Sequence, residues 1–213
     1  MPFVAILLAL VLLSDFSIDI LSAARAYVGG ESLWSKGQKD AVIHLMRYAG
    51  SHDEEEFRAY EHAIAVPLGD REARIELTRA KPDYDRAATG LLAGGNDPGD
   101  IPGMIRLVRY FGRLPAIEHA VGIWARGDDE VASLNKVAQQ LHGAVHGGSR
   151  NAVDVVLLLQ RINETDARVT PLEQAFSSSL GQISRQLRNP SYLGLLSRQP
   201  CCCSQECRSF SAT

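Results

Sequence analysis

Phe3-Val-Ala-Ile-Leu-Leu-Ala-Leu-Val-Leu-Leu13 opens the chain as an apolar run, and it flows without a loop signal into Ser22-Ala-Ala-Arg-Ala-Tyr-Val-Gly-Gly-Glu-Ser-Leu-Trp-Ser-Lys-Gly-Gln-Lys-Asp-Ala-Val-Ile-His-Leu-Met-Arg-Tyr48. In the second stretch apolar residues return at helical spacing (Leu33, Val42, Leu45, Met46), with no sustained period-two alternation. The expected class is all-α: an antiparallel helical bundle with an N-terminal membrane helix and a disordered C-terminal tail. The expected division is an anchor over 1–21, a helical body over 22–188 and an irregular tail over 189–213.

Three readings of the apolar segment compete. A membrane helix needs roughly 20 residues, from about Pro2 to Leu21. It then carries Asp15 and Asp19, each costing up to about 3 kcal/mol at the bilayer centre but much less near one end. A cleaved signal would use Phe3–Leu13 as its apolar core and Ser22-Ala23-Ala24 as its cleavage site, but the basic leader is missing. A core helix would need a partner apolar on all sides. The anchor reading sets the expectation: single-pass in the inner membrane, N-terminus inside, body facing the periplasm. The first basic residue, Arg25, lies on the outer side in this arrangement, so charge statistics do not orient it.

Along the body almost every segment reads as helix. Gly29-Gly30 is expected to break the first helix. A second opens near Ser51 or Asp53, with Glu54, Glu55 and Glu56 in its positive first turn, and Pro67 is expected to close it. Asp70 then caps a short helix through Ile75 to Arg79, Lys81-Pro82-Asp83 turns, and another short helix runs from Tyr84 to Gly94-Gly95. Asn96 to Gly103 is the strongest loop, offering Asp97 with Pro98 or Asp100 with Pro102 as the next start. Ile101, Met104, Ile105, Val108 and Phe111 share the following face. After Pro115 a long helix buries Ile117, Val121, Trp124, Val131, Leu134, Ala138, Leu141 and Val145, with a break expected at Gly127 and an end at Gly147-Gly148. Val153 to Ile162 forms another segment. Thr170-Pro171-Leu172-Glu173 then reads as a capping box opening the last helix through Phe176, Leu180, Ile183 and Leu187. Trp34, Leu45, Val108, Trp124, Leu134, Leu141 and Phe176 are expected in one shared core.

The 22 Lys and Arg against 25 Asp and Glu leave a net charge of −3, and the bases are scattered. Without a basic stripe, nucleic acid is not an expected partner. All four cysteines (Cys201, Cys202, Cys203, Cys207) lie in the tail, where three in succession lack the spacing of a zinc knuckle.

Gly30-Glu-Ser-Leu-Trp-Ser-Lys-Gly-Gln-Lys-Asp40, Ala65-Val-Pro-Leu-Gly-Asp-Arg71, Gly103-Met-Ile-Arg-Leu-Val-Arg109 and Thr170-Pro-Leu-Glu-Gln-Ala-Phe-Ser177 resemble, in order and spacing, the extracytoplasmic helical sensor region of bacterial membrane signalling proteins. These are histidine kinases of two-component systems and GGDEF/EAL cyclic-di-GMP enzymes. The resemblance covers roughly Ser22 to Leu187. It implies a membrane-anchored input region whose first and last helices both run to the membrane, and it allows a homodimer. Relatives of this kind return to the membrane and continue into an output module. Here the apolar run at Leu193-Gly-Leu-Leu196 stops at once, so the tail reads as a truncated or out-of-frame end, and no enzymatic activity is expected. The alternative is a membrane-tethered or secreted helical adaptor with no signalling output.

No acid–base or nucleophile constellation stands out, so there is no candidate catalytic residue and no expected cofactor. His142-Gly-Ala-Val-His146 sets two imidazoles one turn apart, half of a metal site. It lacks the glutamate of His-Glu-x-x-His and shows no third ligand in the sequence, so no metal is expected. Gly94-Gly-Asn-Asp97 lacks the glutamate and phenylalanine of GGDEF and reads as a turn, and Arg126-Gly-Asp128 lies within a helix rather than on a loop. For a small anionic ligand, Trp34, Tyr48 and Tyr110 supply aromatic faces and Lys39, Arg47, Arg106 and Arg109 supply charge, between the Trp34–Tyr48 and Met104–Phe111 segments.

Overall fold

The computed structural model describes residues 2–147 and 152–187, with backbone only at residues 2, 5, 9, 12, 13, 16, 17, 152, 153, 186 and 187. Its described residues form α1 (Pro2–Ser51), α2 (Glu54–Leu77), α3 (Tyr84–Ala93), α4 (Ile101–Phe111), α5 (Pro115–His146) and α6 (Ala152–Leu187). The expected tail over 189–213 lies outside the described residues.

Four long helices make an up-down-up-down bundle. α1 neighbours α2 and α6, α5 neighbours the same two, and α1 and α5 lie across the diagonal. Cross-links fix the directions. Tyr60 of α2 reaches Asn135 of α5 at 2.7 Å, while Lys39 of α1 reaches Asp166 of α6 at 2.7 Å. The short α3 and α4 are inserted between α2 and α5; α3 packs on α2, and α4 packs on the first half of α1, where the Tyr27 hydroxyl donates to the Met104 carbonyl at 3.1 Å.

The local signals that act within one turn hold. Asp53 caps α2 by accepting from the Glu55 amide at 3.0 Å, and Asp83 caps α3 through the Arg86 amide at 3.0 Å. Between α1 and α2 the chain turns at His52 in the left-handed region, φ 56°, which histidine tolerates better than most residues. Asp100 precedes α4 without a side-chain cap bond, whereas Asp97 folds back on the Gly99 amide at 2.8 Å.

Four expected helix boundaries are corrected. α1 passes through Gly29-Gly30 unbroken, because Asn96 packs where a Gly30 side chain would be: a Cβ there would sit 2.5 Å from Asn96 Oδ1. Pro67 lies inside α2 rather than at its end. Proline leaves the Ala63 carbonyl without its helical donor, and Gly37 of α1 presses onto this spot, where a Cβ would be 2.9 Å from Ala63 O and 3.2 Å from Pro67 Cδ. Asp70 is consequently not a cap but a buried residue of α2. Gly127 does not break α5, since Trp34 packs on it at 3.4 Å from a would-be Cβ.

The capping box at Thr170 is also absent. α6 runs through Pro171, Thr170 Oγ1 donates back to the Asp166 carbonyl at 3.0 Å, and Lys39 Nζ donates to that hydroxyl at 2.9 Å. A proline in a helix interior costs about 3 kcal/mol. The Lys39–Asp166–Glu173 cluster and the burial of Ile162 and Val169 hold the helix together across it.

The single expected core is two. Val108 and Trp124, with Phe176 packed partly buried against them, belong to one cluster with Tyr27, Met104 and Leu180. Trp34, Leu45, Leu134 and Leu141 belong to another with Tyr48, Tyr60 and Ile162. On α1, Leu33 and Met46 face outward. The first turns of α1 extend past the bundle, with Phe3, Val4, Ile6, Leu7, Leu8, Leu10, Val11 and Ile18 exposed. Among the described residues no helix is long and apolar enough to cross a membrane; Ala5, Ala9, Leu12 and Leu13 of the apolar run, and Phe16 beyond it, lie outside the described side chains.

The α2–α3 crossing depends on glycine. A Cβ on Gly90 would sit 2.7 Å from the Gly69 carbonyl oxygen and 2.8 Å from the Ala73 nitrogen, both backbone atoms. Gly90→Ala is expected to destabilise by about 1–3 kcal/mol through overpacking, despite alanine's better helix propensity. Gly122→Ala, open to solvent in α5, is expected to stabilise by about 1 kcal/mol. Leu141→Ala, in a fully buried position, is expected to cost about 2–5 kcal/mol. Urea denaturation of the three variants measures all of these.

Candidate functional site

The junction of the two cores is incompletely filled. A cavity of about 40 Å³ opens there. Its apolar walls are Tyr27 and Trp34 of α1, Leu91 of α3, Met104 of α4, Ile123 and Trp124 of α5, and Phe176 of α6. The rings brace one another: Trp124 lies 6.0 Å from Tyr27, edge-on, and 6.2 Å from Phe176.

Three carboxyl groups line this space: Glu31, Asp70 and Glu173. Burial pushes the Asp70 carboxyl up to about 8. Asn96, donating to its Oδ1 at 3.0 Å, opposes the shift, and the charge of Asp128 adds to it. At neutral pH Asp70 is therefore mostly a neutral acid, able to donate a hydrogen bond. Burial also raises Glu173, with Lys39 and Ser35 opposing. Trp34 Nε1 and Glu173 Oε1 are buried without a hydrogen-bond partner among the described residues. An orphan donor and an orphan acceptor in one cavity are the groups a polar occupant would satisfy.

Behind the cavity Asp128 is fully buried and bound by Arg74 across the α2–α5 interface. Burial raises Asp128 while Arg74 and Arg71 pull it back. Glu76, also fully buried, pairs with Arg79 at 2.6 Å and Arg86 at 3.4 Å.

The seven residues expected to bind an anion are dispersed. Trp34 alone among them lines the cavity. Lys39 stands beside it, held by Asp166 and Glu173. Arg106 pairs with Asp19 at 3.8 Å, Arg109 is exposed, and Tyr110 is 73% exposed. Arg47 lies near Glu56 at 3.9 Å, and Tyr48 belongs to the far end of the bundle. The segments named by the sequence do meet a shared cavity, through Trp34 and Met104. Their charged residues do not, because the bases occupy the outer helix faces. Asp70, Asn96 and Glu173 were missed as site residues, since each reads locally as a cap or turn residue.

At the far end, α5 and the α1–α2 turn converge. The His142 and His146 rings lie 4.2 Å apart, and Glu54 of α2 faces both: His142 Nε2 is 3.1 Å from one carboxylate oxygen, and His146 Nε2 is 3.4 Å from the other. The bond from His142 holds the Glu54 carboxyl below its ordinary range. The third donor that the sequence did not reveal is thus Glu54, 88 residues upstream of His142.

No family model, curated protein or solved structure matches this chain.

The Asp70 shift has a definite sign. Between its unfolded value of 3.8 and its folded value of about 8, the folded chain holds a proton that the unfolded chain has lost. Its contribution to stability is fully present below pH 3.8 and is lost as the pH rises through about 8. Asp70→Asn, a mimic of the neutral acid, should match the parent in thermal stability near pH 4. Its advantage should grow steadily towards pH 8, as followed by circular dichroism.

Proposed function

We propose that this chain is the membrane-anchored sensor region of a bacterial signal-transduction protein, with α1 as anchor and input helix and the bundle on the periplasmic side. The observation that carries the reading is the continuity of α1, which runs unbroken from its exposed apolar turns, past the cavity at Tyr27, Gly30 and Trp34, to the far end of the bundle. The order and spacing of the four sequence blocks supports the same reading.

In this reading the signal travels between α1 and α6. α6 packs antiparallel to α1, with Leu180 and Ile183 beside Ala24, so α6 ends near the level where the apolar turns of α1 begin. Residues of both helices line the cavity: Trp34 and Glu31 on one, Leu172, Glu173 and Phe176 on the other. An occupant bonding Trp34 Nε1 or the Glu173 carboxylate changes the spacing of α1 against α6. Small helix shifts of this kind are a common switching device. The lining is almost wholly aromatic and aliphatic, with Trp34 Nε1 and Glu173 Oε1 as its orphan polar atoms, which suits a small, mainly apolar molecule carrying a hydrogen-bonding group. An anionic ligand would instead approach the Lys39 edge.

Membrane attachment is the part of this reading that experiment reaches first. The full chain, expressed in bacteria, should stay in the membrane pellet after an alkaline carbonate wash. A reporter fused after Gly147 should be active only on the periplasmic side. Leu8→Lys, placing a charge that costs about 3 kcal/mol at a bilayer centre, should release the chain without loss of helicity. Complete release of the unmodified chain by carbonate, or a reporter active only in the cytoplasm, would overturn the proposal.

A further inference from the structure

We infer that Glu54, His142 and His146 form a binding site for a borderline divalent transition-metal ion such as Zn2+. Their donor atoms all lie within 4.8 Å of one another. In a tetrahedral zinc centre with bonds near 2.1 Å, ligand atoms lie about 3.4 Å apart. The Glu54 carboxylate spans the histidine pair: His142 Nε2 is 3.1 Å from one of its oxygens and His146 Nε2 is 3.4 Å from the other, so all three groups reach a common point. Two imidazoles and one carboxylate are a ligand set that suits zinc and its neighbours rather than calcium or magnesium.

The surroundings hold these donors in metal-binding orientation. His146 Nδ1 lies 3.2 Å from the His142 carbonyl. Donation there places the proton on Nδ1 and leaves the Nε2 lone pair facing Glu54, the outer-shell arrangement typical of ligating histidines. The His142 ring is stacked on Phe57 at 3.9 Å between centroids, and the Tyr48 hydroxyl donates to Glu54 at 3.2 Å. Electrostatics favour a cation as well. The site sits at the negative C-terminal end of α5, and the Glu54 carboxylate offsets the opposing positive N-terminus of α2. The Glu54 and His146 side chains remain 45% and 53% exposed, leaving a coordination position for water or a partner's ligand. The inference stands apart from the sensor reading, since none of these residues lines the cavity.

The full chain in detergent, carrying Cys201→Ser, Cys202→Ser, Cys203→Ser and Cys207→Ser so that tail thiolates do not compete, is titrated with Zn2+ by calorimetry. One ion per chain is expected. Glu54→Gln and His146→Ala should each weaken binding by at least about tenfold, while the exposed His119→Ala leaves it unchanged. Circular dichroism checks that each variant keeps its helicity. Absence of saturable zinc binding, or an affinity that Glu54→Gln and His146→Ala leave unaltered, would overturn the site.

Discussion

A fifty-residue helix carrying two adjacent glycines is stable only if other parts of the chain hold it at its weak points, and α1 is held there. At 1.5 Å per residue it is about 75 Å long, and each interior glycine costs about 1 kcal/mol relative to alanine. Gly30, Trp34, Gly37 and Gln38 follow one another at helical spacing. They meet Asn96, Gly127, the Ala63–Pro67 turn and Asp166 respectively. The positions that would break an isolated helix thus become its closest joints. At Gly30 the α3–α4 loop comes nearest and at Gly37 α2 does, while Gly29 and Gly50 face open space.

A layer of buried charge accompanies these joints. Asp128 and Glu76 are fully buried, and Arg74, Arg79 and Arg86 neutralise them. Breaking such a pair by removing one partner typically costs about 3–5 kcal/mol, because the other charge is left alone in an apolar setting. Such a layer has to satisfy hydrogen-bond geometry before it can fill space. The apolar interior is accordingly divided in two, and the cavity opens at the division.

The elements legible in the sequence are those whose cause lies within a turn or two. Asp53 and Asp83 cap their helices because a carboxylate two or three residues ahead of a free amide needs nothing else. The buried stripe of α5 through Ile117, Trp124, Val131, Leu134, Ala138 and Leu141 follows from its period alone, while Val121 and Val145 are half-buried. Pro67, Asp70 and the Thr170–Pro171 pair carry equally strong local signals, and these fail. Each lies where a long-range contact outweighs it: Gly37 against Pro67, Asn96 against Asp70, Lys39 against Thr170. The Gln38–Asp166 bond spans 128 residues, which no window on the sequence can register.

By itself the sequence determined that the described residues are helical, the buried faces of the later helices, the loop between α3 and α4, and an apolar N-terminal stretch, because periodicity, capping and hydropathy are properties of neighbouring residues. Tertiary structure alone decided that α1, α2 and α6 continue through their glycines and prolines, and that Asp70, Trp34 and Glu173 share a cavity. It also decided that Glu54 completes the pair of histidines on α5. The reason is energetic as well as geometric. A local stop signal is worth about 1–3 kcal/mol, and packing against partners far along the chain exceeds it. Functional groups that converge only through such packing leave no spacing in the sequence to be read.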